Sequence, residues 1–157
     1  LVSIFAVNYV ITPLIKGVVP KIIFYTILLT PPVSFSIMNY PNQQVYFNEI
    51  LPKQNNYLLE NFERDYWGNS FYQGLKKIKE IEQRDTVTIS TNLRVGLANT
   101  LMFNPNESPY FKYTNSIDSC DYFISNYRRH PSAYSYQGKV LDVMVQDNPI
   151  LSVWKLK

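Results

Sequence analysis

Two apolar stretches open the chain and flank a short basic segment. Residues 1–15 carry no charge and are mostly apolar, and residues 22–48 again carry no charge. Because a membrane-spanning helix needs about 20 apolar residues, the second stretch is long enough to cross a bilayer. The first is predicted to be the end of another membrane helix. Pro31 and Pro32 are predicted to kink the second helix, which implies neighbouring helices that satisfy the freed carbonyls.

The charge distribution predicts how these helices are oriented. Lys16 and Lys21 lie between the two apolar stretches, so the positive-inside rule places this segment in the cytoplasm. All 12 acidic residues, and all but two of the 15 basic residues, lie after residue 40. We therefore expect an integral protein of the plasma or inner membrane. From about Tyr40 onward the chain would face the periplasm or the cell exterior, with Tyr46 and Phe47 near the membrane–water interface.

Two other interpretations of the N-terminus stay open. A cleavable signal peptide would have a basic start, one apolar core and a small-residue cleavage site, and two apolar stretches around a basic segment fit that pattern poorly. Two buried core helices of a soluble protein would also be apolar, although the uncharged stretch at residues 22–48 is long for one. Because the sequence begins with Leu1 rather than Met, we expect a fragment or a processed product.

Residues 62–75 are the stretch around which the remaining chain is organised. Alternating aromatic and charged side chains at residues 62–67 predict a strand. Gly68 and Asn69 predict a sharp turn, since both tolerate a positive φ. Asn69 or Ser70 is then predicted to cap a helix that continues through Lys79 or a little beyond. Its buried stripe is predicted at Phe71, Leu75, Ile78 and Ile81.

Beyond this helix, strand and helix signals alternate. The β-branched residues 86–91 predict a strand parallel to the one at residues 62–67, joined to it in a right-handed βαβ unit. Residues 92–102 predict a second helix capped by Asn92. Its apolar positions at helical spacing are Leu93, Leu97 and Leu101. The remaining signals predict a loop at 104–109, strands at 110–113 and 121–127, and a hairpin from 140–145 and 150–156.

These elements predict an α/β protein in two parts. Residues 1–39 are predicted to be transmembrane helices at the end of a polytopic membrane domain. Residues 40–157 are predicted to form an extracytoplasmic α/β domain with a small mixed sheet, about two helices and a C-terminal hairpin.

Composition and charge exclude several classes of chemistry. The net charge is +3, and no Lys/Arg cluster is longer than Arg128–Arg129, which argues against a nucleic-acid partner. A single cysteine, Cys120, excludes an internal disulfide, and with the single histidine, His130, it cannot form a metal cluster. The five glycines form neither a phosphate loop nor a dinucleotide fingerprint. We therefore predict no metal, no cofactor and no catalytic residue in this part of the protein.

Four short segments carry a resemblance to a known family. They are residues 44–48 (QVYFN), 65–68 (DYWG), 121–128 (DYFISNYR) and 149–155 (PILSVWK). Their order and spacing resemble the C-terminal part of polytopic GT-C glycosyltransferases similar to the dolichyl-phosphate-mannose–protein mannosyltransferases. Residues 39–42 (NYPN) depart from the His-Pro-Tyr run that relatives often have there.

The resemblance implies a function for the longer protein. It implies a polyprenyl-phosphate sugar donor, an active site that faces the periplasm or lumen, and a catalytic acidic residue in the first outward loop near the N-terminus. Because that loop lies outside this sequence, no catalytic residue is carried over. This chain would then be an accessory extracytoplasmic part of an enzyme that transfers sugar to a protein, lipid or glycan, with membrane lipid as its surroundings.

Six residues are candidates for contact with substrate or with the rest of the enzyme. The candidates are Asp65, Tyr66, Trp67, Asn126, Tyr127 and Arg128. In one interpretation they form a single surface on which Arg128 pairs with a phosphate or carboxylate. In the other they hold the sheet together. Two functions compete with the transferase: a membrane-anchored periplasmic binding module without catalysis, and a soluble α/β enzyme.

Overall fold

A computed structural model describes residues 6–48, 50–54, 57–100 and 110–157 of the chain. The chain divides into two compact units, Leu1–Glu49 and Ile50–Lys157. The predicted loop at 104–109 and residues 101 and 102 of the second predicted helix lie outside the described residues. Each unit is described below by itself.

The first unit is built around one long apolar helix. A π-helical turn, Ala6–Ile11, leads into the short helix α1 (Thr12–Leu14), and the hydroxyls of Thr12 and Tyr25 lie 2.6 Å apart. Helix α2 (Val18–Met38) then continues through Pro31 and Pro32, and a 3₁₀ turn (Gln43–Val45) follows. The first unit is thus almost entirely helical in the part described.

Helix α2 is long and apolar enough to cross a membrane. Its most apolar 18 residues have a mean hydropathy of 1.5, and a signal sequence near an N-terminus would meet the same criteria of length and composition. Among the described residues it is the one helix that meets both criteria, whereas the sequence predicted more than one membrane helix. Residues 6–14 form the short π and α turns, and residues 1–5 of the predicted first helix lie outside the described residues.

The second unit is a mixed α/β domain. Its helices are α3 (Tyr57–Asn61), α4 (Ser70–Ile81) and α5 (Arg94–Thr100), with a 3₁₀ turn at Ile117–Ser119. Its strands are β1 (Val87–Thr91), β2 (Phe111–Tyr113), β3 (Tyr122–Ser125), β4 (Lys139–Val145) and β5 (Asn148–Lys155). They form one sheet in the order β2-β1-β3-β5-β4, in which β1 is parallel to β2 and β3, and β5 is antiparallel to β3 and β4. The predicted mixed sheet is confirmed.

Each face of the sheet has its own apolar core. On one face the predicted stripe of α4, Phe71, Leu75 and Ile78, packs against β1, β3 and β5, whereas Ile81 is 46% exposed. On the other face an aromatic cluster surrounds Phe123 and Trp154. Its further members are Leu59, Cys120 and Tyr127, with Ile117, Tyr134, Tyr136 and Leu156 packed against them. Alternate residues of β3 therefore serve opposite layers, as the two-residue period of a strand requires.

Two local predictions are wrong. Residues 62–65 are irregular and end in a turn at residues 66–67, so no strand precedes α4, and the true parallel partners of β1 are β2 and β3. The second predicted helix begins at Arg94 rather than at residue 92, and its predicted end lies outside the described residues. The Asn92 side chain bonds to the chain after β3 instead: its amide donates to Asn126 and Arg128, and its oxygen accepts the Asn126 N–H. The short helix α3 also raises the number of helices in this unit above the predicted two.

The C-terminal hairpin is confirmed. Strands β4 and β5 pair from Lys139↔Trp154 to Val145↔Asn148, and Gln146 and Asp147 form the connection. Both connecting residues have positive φ, 51° and 58°. This combination is the signature of a type I′ turn, whose twist matches that of the strands it joins.

A charged network fastens the C-terminal end of α4 to the sheet. The Glu82 carboxylate accepts hydrogen bonds from Arg84, Lys155 and Tyr122, and Arg84 also donates to Asp121. The hydrogen bond from Arg84 is the main reason that the pKa of Glu82 is lowered to about 2. Ionised Glu82 therefore favours the folded state above its ordinary pKa of 4.5, and this stabilisation is lost as the pH falls towards 2.

We predict that Glu82→Gln lowers the Tm of the full chain by a few degrees at pH 7. The difference from the wild type should shrink as the pH falls from 4.5 to 2, because Glu82 is then protonated in the unfolded state, whereas the folded state takes up this proton only near pH 2. Glu80→Gln is the matched control, since Glu80 forms only an exposed pair with Lys77. A Tm difference that does not depend on pH would contradict this account.

Candidate functional site

The candidate site lies at the carboxyl ends of two adjacent parallel strands. The chain leaves β1 towards β2, which lies on one side of β1. The strand on the other side of β1 is β3, from which the chain continues into the β4–β5 hairpin. This is a topological switch point, where open α/β sheets commonly bind ligands in the crevice outside the strand ends. Asn92 follows β1 there, and Asn126 follows β3.

Two asparagine side chains join three separate segments at this point. The Asn126 amide donates to the backbone carbonyl of Asp65 over 2.9 Å. The Asn92 amide donates to the Asn126 side-chain oxygen and to the Arg128 carbonyl, each over 3.2 Å. The candidates predicted at 65–67 and 126–128 are therefore brought to one end of the sheet.

Asp65 caps helix α4 from outside the helix. Its side chain is buried, and one carboxylate oxygen accepts the Asn69 N–H over 3.0 Å. The other oxygen accepts from the Ser70 N–H and hydroxyl. The carboxylate thus satisfies donors of the first turn and meets the positive end of the helix dipole. Asn69, one of the predicted caps, makes no capping hydrogen bond with its own side chain.

Gly68 lets the chain turn sharply between Asp65 and the helix. Its φ is +71°, and a Cβ at this position would lie 2.8 Å from a methyl of Val95. The Gly68 N–H donates to the Asp65 carbonyl, and its own carbonyl accepts from the buried Asn99 amide. Conformation and space together therefore require glycine here.

Three of the predicted residues form a surface that we call the aromatic corner: Tyr66 and Trp67, which are exposed, and Arg128, whose side chain is 20% exposed. Trp67 is 71% exposed, and its ring lies edge to face with that of Tyr66 at a centroid distance of 5.2 Å. The Arg128 guanidinium lies 3.8 Å from the centroid of the Tyr66 ring, within cation–π range. It also donates to Glu63 over 3.2 Å and to the Tyr66 carbonyl over 3.3 Å, so its position is well defined.

Tyr127 is buried and does not join the aromatic corner. It belongs to the aromatic cluster around Phe123 and Trp154, and its hydroxyl bonds with Ser152 over 2.5 Å. Burial raises the pKa of Tyr127. Its backbone is left-handed, with φ +60°. The side chain of Tyr127 therefore turns inward, although its chain neighbours Asn126 and Arg128 belong to the candidate site. Tyr127 is therefore part of the core rather than of an exposed surface.

Sequence reasoning missed two polar residues of this region. Asn92 was predicted as a helix cap, and its position directly after a strand of the sheet was the signal that could have indicated a site residue. Arg64 is buried, and its guanidinium donates to the carbonyls of Asn148 over 3.1 Å and Val145 over 2.5 Å. An arginine between two acidic residues, Glu63 and Asp65, gave no sign of this distant pairing.

The geometry indicates binding better than acid–base chemistry. The buried carboxylate of Asp65 has both oxygens engaged as hydrogen-bond acceptors by backbone and hydroxyl donors. Within residues 6–48, 50–54, 57–100 and 110–157, no group of three His, Cys, Asp or Glu side chains could hold a metal ion. The exposed part of the site offers two aromatic rings and a guanidinium, which suit contact with a partly apolar, partly polar ligand. No protein-family model matches this chain, and no curated protein or solved structure matches it either.

We predict that Asp65→Ala destabilises the full chain by about 1–2 kcal/mol, because it removes the cap of α4 and leaves buried donors unpaired. Asp65→Asn should be milder, since an amide oxygen still accepts one of these bonds. Unfolding in urea would measure both free energies. Asp85→Ala is the control, since Asp85 is exposed, and its effect should stay within about 0.5 kcal/mol. Wild-type stability in Asp65→Ala would show that the cap is unimportant.

Proposed function

We propose that this chain is the C-terminal part of an integral-membrane glycosyltransferase that uses a polyprenyl-phosphate sugar donor. In this proposal α2 spans the membrane, and the unit Ile50–Lys157 is an accessory extracytoplasmic domain. The sequence resemblance supports the enzyme class. The main structural support is that two of the resembling segments, 65–68 and 121–128, meet at the switch point of the sheet. Residues far apart in the chain there form one exposed surface.

The proposed role of this domain is to bind and orient substrate. Because the Asp65 carboxylate is engaged in capping α4, the base that activates the acceptor would lie elsewhere in the enzyme. The aromatic corner supplies flat faces against which the C–H face of a sugar ring can pack. Arg128, held by Glu63 and Tyr66, would present its remaining donor capacity to a sugar hydroxyl or an anionic group. The substrates would be a protein, lipid or glycan acceptor and the lipid-linked sugar.

A second function uses the same surface without chemistry. A membrane-anchored binding module would need the exposed rings of Tyr66 and Trp67 and no transferase upstream. The engagement of Asp65 in helix capping favours this alternative as much as an accessory role. Sugar transfer by the full-length protein separates the two functions, because only the transferase loses turnover when the surface is altered.

We predict that Trp67→Ala in the full-length protein lowers the rate of sugar transfer from a polyprenyl-phosphate donor about tenfold, since about 1.4 kcal/mol of contact energy is lost. The rate would be measured in native membranes with a radiolabelled donor. Met144→Ala is the matched control, because Met144 is also an exposed apolar residue but lies on strand β4. The Tm of both variants should stay close to that of the wild type. Equal transfer rates in the wild type and Trp67→Ala would end the proposal that this corner binds substrate.

The proposed orientation makes a separate prediction. Asp147→Cys, in the turn between β4 and β5, should react with a membrane-impermeant maleimide in intact cells, because the second unit would face outward. Lys16→Cys, in the basic segment, should react only after the cells are broken. The native Cys120 is buried and should contribute little background. Reversed labelling of the two variants would refute the orientation.

A further inference from the structure

A second candidate site lies beside the aromatic corner, in a cleft of about 220 Å³. One wall is the segment from α3 to Arg64, and the other is the chain that leaves β3 at residues 126–131. Its lining includes the apolar residues Leu59, Phe62 and Ile150, three arginines, Arg64, Arg128 and Arg129, and two acids, Glu60 and Glu63. The cleft thus combines apolar walls with three arginines, of which the transferase proposal uses only Arg128.

Arg64 brings a buried charge without a counter-ion. Its residue is 8% exposed, and its guanidinium meets only the backbone carbonyls of Val145 and Asn148, while its Nε is buried without a hydrogen-bond partner. No carboxylate lies within ion-pair distance of it in the part of the chain described. Burial lowers the pKa of Arg64 to about 10. A buried charge is costly unless it is paired. A negatively charged ligand in the cleft would therefore stabilise Arg64.

The other charges at the cleft do not supply that negative charge. Arg128 is already paired with Glu63 at 3.2 Å. Arg129 is exposed at the mouth and pairs with no carboxylate among the described residues, and its backbone has φ +63°. Glu60, also exposed, is the remaining acid in the lining. Apart from the Arg128–Glu63 pair, the lining carries two positive side chains, Arg64 and Arg129, and one negative side chain, Glu60. The cleft therefore has an excess of positive charge.

We propose that this cleft binds the phosphoryl group of a ligand, with Arg129 as its direct donor and Arg64 as the buried counter-charge behind it. A guanidinium presents paired N–H donors whose spacing matches two oxygens of a phosphate. The two negative charges of a phosphoryl dianion also match two unpaired arginines better than the single charge of a carboxylate does. The inference can be tested apart from the proposed function, because its direct donor, Arg129, lies outside the aromatic corner and phosphate binding is measured without sugar transfer.

Inorganic phosphate is the first probe. The full chain, purified in a non-ionic detergent, would be titrated with phosphate at constant ionic strength, with chloride as the exchanged anion. We expect a saturable rise in Tm, since a ligand that binds only the folded state stabilises it. Arg129→Gln should weaken the apparent affinity about tenfold, and Glu60→Gln should strengthen it several-fold by removing a competing negative charge. Acetate should bind more weakly than phosphate.

Arg94→Gln is the matched control. Arg94 is equally exposed but lies at the start of α5, outside the lining of the cleft, so this variant should titrate as the wild type does. Arg64→Met is not used alone, because the loss of its bonds to the hairpin could prevent folding. Arg129→Gln and Glu60→Gln change only exposed side chains and keep the test decisive. No saturable Tm rise, or the same affinity in all variants, would overturn the proposal.

A phosphoryl group can belong to a water-soluble ester or to a lipid headgroup. Two esters would each be tested in competition with inorganic phosphate. One is glycerol 3-phosphate, and the other is dihexanoyl phosphatidate, kept below the concentration at which it forms micelles. The apolar walls favour the lipid, so we expect the phosphatidate to bind about tenfold more tightly. Tighter binding of glycerol 3-phosphate would instead assign a soluble ester. Failure of both esters to compete would overturn the phosphoryl site.

Discussion

The hydrogen bonds of Asp65 are the constraint on which the candidate site depends. Its carboxylate holds the first turn of α4, while its backbone carbonyl accepts from the Asn126 amide at the end of β3. One residue thus fixes the chain that precedes the helix relative to the sheet that the helix covers. Since Gly68 turns the chain immediately afterwards, Tyr66 and Trp67 are left outside, exposed, on a backbone anchored at both ends.

The polar residues at this end of the sheet therefore divide into two roles. Buried amides and the Asp65 carboxylate satisfy one another and set the shape, whereas the exposed rings and Arg128 remain to meet a ligand. Such a division is expected, because a buried polar group must find a partner inside the protein. A buried carboxylate whose oxygens both accept internal bonds is poorly placed to act as a base as well.

Local signals predicted much of the fold, and long-range pairings account for the errors. The stripe of α4, the β-branched residues of β1 and the C-terminal hairpin depend on periodicity and turn chemistry within a few residues. Residues 62–67 have the alternation of a strand, but Arg64 reaches carbonyls more than 80 residues away. The site was predicted in part for the same reason: the segments that meet were identified, but the Asn92 bridge that joins them depends on the sheet order.

Arg128 connects the aromatic corner physically with the arginine-lined cleft. Its guanidinium stacks on the Tyr66 ring and pairs with Glu63, while the same side chain lines the cleft. An anion in the cleft would compete with Glu63 for this guanidinium, and any displacement would remove the cation from the face of Tyr66. Because a cation–π contact at an exposed site contributes only about 0.5–1 kcal/mol, and an exposed ion pair no more, little energy opposes such a shift. The two surfaces differ in their chemistry but share the Arg128 side chain.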